Sequence, residues 1–378
     1  MTKYLVISEL CSNFAKKLTT KIFFAMKLNI GYIIKNEETL WNTMRWENKP
    51  PMCKCGCTDL YRTSDSRYKC KSCGYTFSDT ANTILQNSKL PKWKWLYAIY
   101  TLTAQRSISV RELANLIGCA KSTAWLMLQK IRYYMSLDSV DMSGVVCLDE
   151  AHIGGWSGMH LNKKIEYMVE HHYMKKGEKY RKEAILAASS EKKQHILCGV
   201  NAVGKAKVTH IKGQITKDIV KQVVKQNGIT HIISDESQLY RGIKGVTTEQ
   251  CNHSKHIYMT AGGHSSNPCE NRFSWVKRIV GAYHTHTSEK YLQLYLNQIM
   301  FKMNNRDLSV ADRFMKLGGL CCQKAVSHKE VLNFEYTDGL YYPEKAEVDW
   351  DEIVDAFGGL VRCIEHKHKR YIGRKRTK

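Results

Sequence analysis

Apolar positions change their spacing along this chain, and each change predicts a different kind of element. After Pro91 the run Trp93-Lys94-Trp95-Leu96-Tyr97-Ala98-Ile99-Tyr100 is apolar on nearly every side, the signature of a buried helix. Ser107 to Met135 keeps a helical period but is broken at Gly118. From Gly144 the apolar runs shorten and are bounded by acids, as in Val145–Leu148 and Ile232-Ile233, with Ala184–Ala188 and His195–Val200 as further strands. Lys217–Lys225 and Ser288–Asn305 return to the helical period, and in the second Leu292, Tyr295, Leu296, Ile299 and Met303 share one face. Strands alternating with helices predict an α/β domain over residues 144–306. Upstream, Asn36 is a candidate cap for a short helix whose first turn holds Glu37 and Glu38, and Asn48-Lys49-Pro50-Pro51 stops it.

Residues 51–80 fit neither period. They are poor in apolar residues and hold Cys53, Cys55, Cys57, Cys70 and Cys73, five of the chain's fourteen cysteines. No apolar run reaches the roughly 18 residues of a membrane span, and Glu9, Lys16, Lys17 and Lys21 interrupt any signal-peptide core. An intracellular protein without membrane contact is therefore expected, in which clustered cysteines bind metal rather than form disulfides. Cys53-Lys54-Cys55-Gly56-Cys57 and Cys70-Lys71-Ser72-Cys73-Gly74 have the character of a zinc ribbon, two ligands from each of two turns. The glycines after Cys55 and Cys73 let each turn close with positive φ. The first pair is one residue shorter than C-x-x-C, so either Cys53 and Cys55 bind with Cys70 and Cys73, or Cys57 replaces one of the first two. Four protein ligands make the zinc structural, and a redox thiol pair is the competing reading.

Charge sharpens the picture. The chain carries 58 Lys and Arg against 35 Asp and Glu, a net charge of +23, and a protein this basic usually manages a polyanion such as nucleic acid. Residues 45–136 hold fifteen basic and five acidic side chains. Within them Ser109–Gly118 and Cys119–Arg132 read as a helix-turn-helix in the region 91–136. Ala114 allows close approach, Gly118 makes the turn, and Leu113, Ile117, Ala124 and Leu128 face inward. Lys121, Ser122 and Thr123 then open the second helix, where a recognition helix meets DNA. A helical hairpin packed only for stability would share much of this pattern. The C-terminal stretch 307–378 is polarised, with seven acids between Tyr336 and Ala356 and seven basic residues between His366 and Lys378. Either block is also compatible with a solvated surface.

Three acids stand out in the α/β region. Asp149 and Asp235 follow apolar runs and are expected at strand ends. Glu270 falls in the first turn of a helix capped by Asn267, begun by Pro268 and ended by Gly281. Two strand-end aspartates and a helical carboxylate can hold two Mg²⁺ or Mn²⁺ ions for phosphodiester displacement. Each acid also has an ordinary reading, as a turn residue or a helix-dipole partner. Lys277 lies two helical turns beyond Glu270 on the same face, suited to a DNA phosphate, with Arg278 beside it. His253 and Tyr258 precede that helix, and a lone histidine there is more often structural.

The order of ribbon, helix-turn-helix and acidic α/β region resembles ISXO-like insertion-sequence transposases and their eukaryotic relatives, the Merlin elements. The resemblance runs from about Trp41 to Arg306. It rests on Arg45-Trp46, Tyr75-Thr76-Phe77-Ser78, Leu148-Asp149-Glu150-Ala151-His152-Ile153-Gly154-Gly155, Ser234-Asp235 and Asn252-His253-Ser254. It continues through Ser266-Asn267-Pro268-Cys269-Glu270-Asn271-Arg272-Phe273-Ser274-Trp275-Val276-Lys277-Arg278, Gly281-Ala282-Tyr283-His284 and Asn304-Asn305-Arg306. It implies a multidomain α/β protein whose residues 144–306 form an RNase H-like DDE catalytic domain. Asp149, Asp235 and Glu270 would be the metal-holding acids and Lys277 their basic partner. It implies cleavage at element ends and joining of the 3′-OH to target DNA, with double-stranded DNA as partner and a homo-oligomer holding two ends. Ser266 replaces the family's usual threonine. The competing readings are an inactive or domesticated copy that binds DNA by sequence, and a nuclease or resolvase without strand transfer.

Overall fold

The computed structural model describes residues 30–47, 49–105, 107–154, 170, 193–251, 259–260, 262–263, 265–283, 287–332 and 340–341. The predicted strand at Ala184–Ala188, His253 and Tyr258, and residues 333–339 and 342–378 of the C-terminal stretch lie outside these residues.

Two short helices, α1 (Ile30–Lys35) and α2 (Glu37–Trp46), lead into a three-stranded antiparallel sheet of β1 (Leu60–Arg62), β2 (Tyr68–Cys70) and β3 (Thr76–Phe77). Asn36 precedes α2 but does not cap it. Its Nδ2 donates to the Tyr32 carbonyl at 2.9 Å, serving the end of α1 instead. Three helices follow, α3 (Lys92–Ala104), α4 (Val110–Ile117) and α5 (Lys121–Met135). Ser109 caps α4 by accepting the Glu112 N–H, and Gly118, at φ +59°, turns the chain into α5.

Next come β4 (Gly144–Ile153), β5 (Gln194–Asn201), β6 (Ala206–Ile211), α6 (Lys217–Asn227), β7 (Ile229–Ser234), a 3-10 turn (Gln238–Tyr240) and β8 (Thr247–Gln250). They form one mixed sheet in the order β6-β5-β4-β7-β8. β5 runs antiparallel to β4 and β6, while β7 and β8 run parallel to β4 and to each other, respectively. Helices α7 (Asn267–Tyr283), α8 (Glu289–Asn304), α9 (Val310–Cys321) and α10 (His328–Leu332) complete the described chain. Among the described residues no helix is long and apolar enough to cross a membrane.

Alternation along β4 sorts its side chains between two cores. Cys147, Ala151 and Ile153 pack with α7 and α8 on one face, and Val146 and Leu148 pack with α6 on the other. Helix α7 continues through Gly281 to Tyr283, because buried Ile279 and Val280 tie that end into the core. Packing of this kind outweighs the roughly 1 kcal/mol a helical glycine costs.

A third core gathers helices that are distant in sequence: Ile33, Trp41, Leu96, Leu113, Leu128, Phe314 and Leu317 all contribute. Helix α8 belongs to two cores at once, with Leu292, Leu296 and Ile299 against the sheet and Leu294 and Phe301 against the helices. Polar bonds strengthen the join: Arg132 Nε of α5 donates to Gln298 Oε1 at 2.7 Å. Arg45 of α2 ties in two further segments, donating to the carbonyls of Cys322 at 2.6 Å and Ala81 at 2.7 Å.

Candidate active site and metal centre

Asp149 is not at a strand end. It lies within ten-residue β4, paired with Cys198 of β5. The parallel partner β7 stops earlier, however, and its last register pair with β4 is Cys147 with Ile233. Two residues further along both strands stand Asp149 and Asp235, side by side where the parallel seam opens. Asp235 directly follows β7. Its Oδ1 accepts the Ser237 N–H at 3.1 Å and its carbonyl accepts Gln250 Nε2 at 2.8 Å, so the turn holding it is fixed from two sides.

The third acid arrives on α7. Buried Cys269, small enough to let the helix approach the sheet, donates to the carbonyl of Cys147 at 3.2 Å. Glu270, next in the first turn, is exposed and near enough to act on the charge of Asp149. Burial, then the charges of Asp235 and Glu150, and finally Glu270, push the Asp149 carboxyl up to about 7, against the opposing Glu150 N–H at 2.8 Å. Such a carboxylate cluster suits divalent metal. Exposed Lys277 follows two turns later and is near enough to help lower the His152 imidazole, after burial and the charges of His195 and Lys193. Arg278 is exposed and lies over the Trp275 ring, 5.7 Å from its centroid.

A fourth acid is present that sequence reasoning did not single out. Glu150 accepts hydrogen bonds from the buried Tyr240 hydroxyl and from Ser237 Oγ, the latter at 3.3 Å. Strand alternation sends it to the face opposite Asp149, where it anchors the turn that carries Asp235. Its adjacency to Asp149 was visible in the sequence, but its partners lie nearly ninety positions away.

Residues 141–304 match the family model of the ISXO2-like transposase domain, a span that contains all three acids and Lys277. This span is similar to insertion-sequence transposase domains. An uncharacterized protein in transposable element ISH50 of Halobacterium salinarum is 26% identical over 114 residues. That match covers 29% of this chain and 38% of the relative, so the chain spans well under half the length of the curated relative it matches.

Ahead of the matched span, the cysteines divide cleanly. The sulfurs of Cys53, Cys55, Cys70 and Cys73 all lie within 4.8 Å of one another, with Cys53 to Cys73 at 3.5 Å and Cys55 to Cys70 at 3.7 Å. Tetrahedral zinc with bonds of about 2.3 Å requires sulfurs about 3.8 Å apart, so this cluster could bind zinc. Gly56 at φ +85° and Gly74 at φ +69° close the two turns. Cys57 stands apart, its sulfur accepting from the Asp59 N–H at 3.3 Å and from Ser72 Oγ at 3.1 Å. Among the described residues only these four cysteines gather three or more ligand atoms so tightly. In the helical region Leu113, Ile117, Ala124 and Leu128 are buried, while Lys121 and Ser122 are exposed and Thr123 half-buried at the start of α5.

The raised Asp149 carboxyl has a consequence for the metal-free protein. The unfolded chain ionises this group near 3.8 and the folded chain near 7, so the folded state holds more protons in between. Stability therefore falls as pH rises through that window. The melting temperature of protein freed of Mg²⁺ and Mn²⁺ by dialysis, with its ribbon metal retained, is expected to drop on going from mildly acidic to neutral pH. Mg²⁺ or Mn²⁺ is expected to restore it at neutral pH and to do little in acid. Asp149→Asn should remove both effects.

Proposed function

We propose that this chain is an active DDE transposase with an RNase H-like catalytic domain, which cuts DNA at its element's ends and joins the freed 3′-OH to target DNA. The observation that carries this reading is the convergence of Asp149, Asp235 and Glu270 at the opening of the β4–β7 seam, inside the transposase-domain match. The sheet supports it, with two antiparallel connections followed by parallel strands and helices on both faces.

Asp149 and Asp235 would hold Mg²⁺ or Mn²⁺ from the strands and Glu270 from the helix. When bound, such ions supply activation of the attacking oxygen and stabilisation of the leaving oxygen in an in-line displacement. Glu150, Ser237 and Gln250 keep the Asp235 turn in place. Lys277 and Arg278 lie exposed further along α7, where they would hold the phosphates of the strand being cut. The exposed start of α5, with Lys121, Ser122 and Thr123, would enter the major groove of the terminal repeats, and a zinc-filled ribbon would extend the contact. Because α8 belongs to both the helical core and the sheet core, the DNA-reading helices and the acids are built on one frame. Two ends must be held together for joining, which calls for a homo-oligomer on DNA.

The test is a gel assay of the purified protein with duplex DNA from the flanks of its own gene, with Mg²⁺ or Mn²⁺. Metal-dependent nicks at a repeat end and joined products are expected, and Lys121→Glu should reduce both by weakening end binding. Nicks without joined products would replace the transposase with a nuclease. Tight selective binding without any cleavage would replace it with a DNA-binding protein.

A further inference from the structure

Beside the acids lies a cavity of about 760 Å³ that the proposed chemistry leaves unused. Its apolar wall includes Val145, Cys147, Val200 and Ile233, and its polar rim includes Arg272 and Arg306. Cys147 and Ile233 each stand two residues before an acid, so the cavity begins about 7 Å along the strands from Asp149 and Asp235. Asn267, Pro268, Asn271 and Arg272 of α7 line it as two i, i+4 pairs, a different stripe from Glu270 and Lys277.

Arg272 is unusual. It is only 7% exposed, and its Nε has no hydrogen-bond partner among the described residues. Its other nitrogens reach neutral oxygens, the Gly204 carbonyl at 2.8 Å and Asn271 Oδ1 at 3.1 Å. No described carboxylate forms an ion pair with it, and Arg306 is close enough to repel it. Arg306 itself is exposed, and among the described acids it pairs only with the solvent-facing Asp307, at 3.6 Å. It is brought there by Asn304, whose side chain is locked to both backbone groups of Ala206 at 2.8 Å. A buried arginine without an acid, a second arginine beside it and a helix N-terminus together form a place that lacks an anion.

We propose that this cavity is a nucleotide subsite for the DNA strand at the acids, with a phosphate between Arg272 and Arg306 and the attached base against the apolar wall. The assignment rests on the transposase reading for the identity of the strand. The lining matches such a ligand, since guanidinium groups pair with phosphate oxygens and an apolar wall receives a base lifted from the stack. The room would suit a base displaced from the duplex next to the cleavage position.

The test uses the full-length protein and needs no cleavage. Binding of deoxynucleoside 5′-monophosphates, deoxyribose 5-phosphate and inorganic phosphate is measured by calorimetry and by the shift in melting temperature. The monophosphates are expected to bind best. Arg306→Gln, at an exposed position, should weaken them at least about tenfold, the loss of one charge-assisted contact. Ala202→Trp, exposed at the cavity's edge, should block the monophosphates while leaving inorganic phosphate unaffected. Equal binding of all three ligands would overturn the base pocket, and no binding, or binding indifferent to Arg306→Gln, would overturn the subsite. Monophosphate binding by a protein that never cuts DNA would instead count against the transposase reading alone.

Discussion

Asp235→Asn is expected to lower metal-dependent cleavage by roughly 10³-fold or more, with the fold intact and DNA binding preserved. The substitution keeps the side chain's shape and Oδ1, so the bond from the Ser237 N–H survives. What disappears is one negative charge from a cluster in which Asp235 is the largest charged neighbour of Asp149. Removing it lowers the affinity for divalent cations, and the Asp149 carboxyl should return toward its ordinary range. Single-turnover cleavage, circular dichroism and a DNA-binding isotherm, compared with wild type, check the three parts. A variant that cuts at the wild-type rate would place the metal site elsewhere. Glu150→Gln makes an instructive companion, since it retains the hydrogen bonds to Tyr240 and Ser237. It should therefore lose far less activity than Asp235→Asn.

The second large effect is expected at the ribbon. Its core consists of Cys53, Tyr68, Cys70 and Phe77, so half of the buried residues are themselves candidate ligands. Three strands of two or three residues cannot hold such a unit together by apolar burial alone. Bound metal would supply the missing stability, since structural zinc sites typically contribute about 10–16 kcal/mol of binding free energy. Cys70→Ser should release zinc, melt the ribbon and weaken DNA binding, read by zinc content, proteolysis and gel shift. Cys57→Ser should retain one zinc per chain, because its sulfur is occupied by Asp59 and Ser72. Loss of zinc in Cys57→Ser with retention in Cys55→Ser would exchange their roles.

The sequence by itself determined the features that depend on near neighbours. A glycine after the second cysteine of each pair marked the two knuckles, because positive φ is a local demand. Leu113, Ile117, Ala124 and Leu128 were readable as an inner face, because helical period and Gly118 suffice to align them. Asp149, Asp235 and Glu270 could be singled out as carboxylates beside apolar runs or in a helix's first turn.

Tertiary structure decided what depends on pairing between distant segments. Short spacing alone could not choose among Cys53, Cys55 and Cys57, whereas packing against Asp59 and Ser72 removes Cys57 from the cluster. The end of the apolar run at Leu148 was not the end of β4. Pairing with β5 carries the strand on to Ile153, and it is the earlier end of β7 that opens the seam at Asp149. Gly281 did not stop α7 and Asn36 did not cap α2, because buried neighbours and a carbonyl of the preceding helix made better use of them. Glu150 and Arg272 were plain letters within recognisable motifs. Their surroundings, Tyr240 for the one and Gly204 and Arg306 for the other, are created by sheet register and helix packing, which no local period encodes.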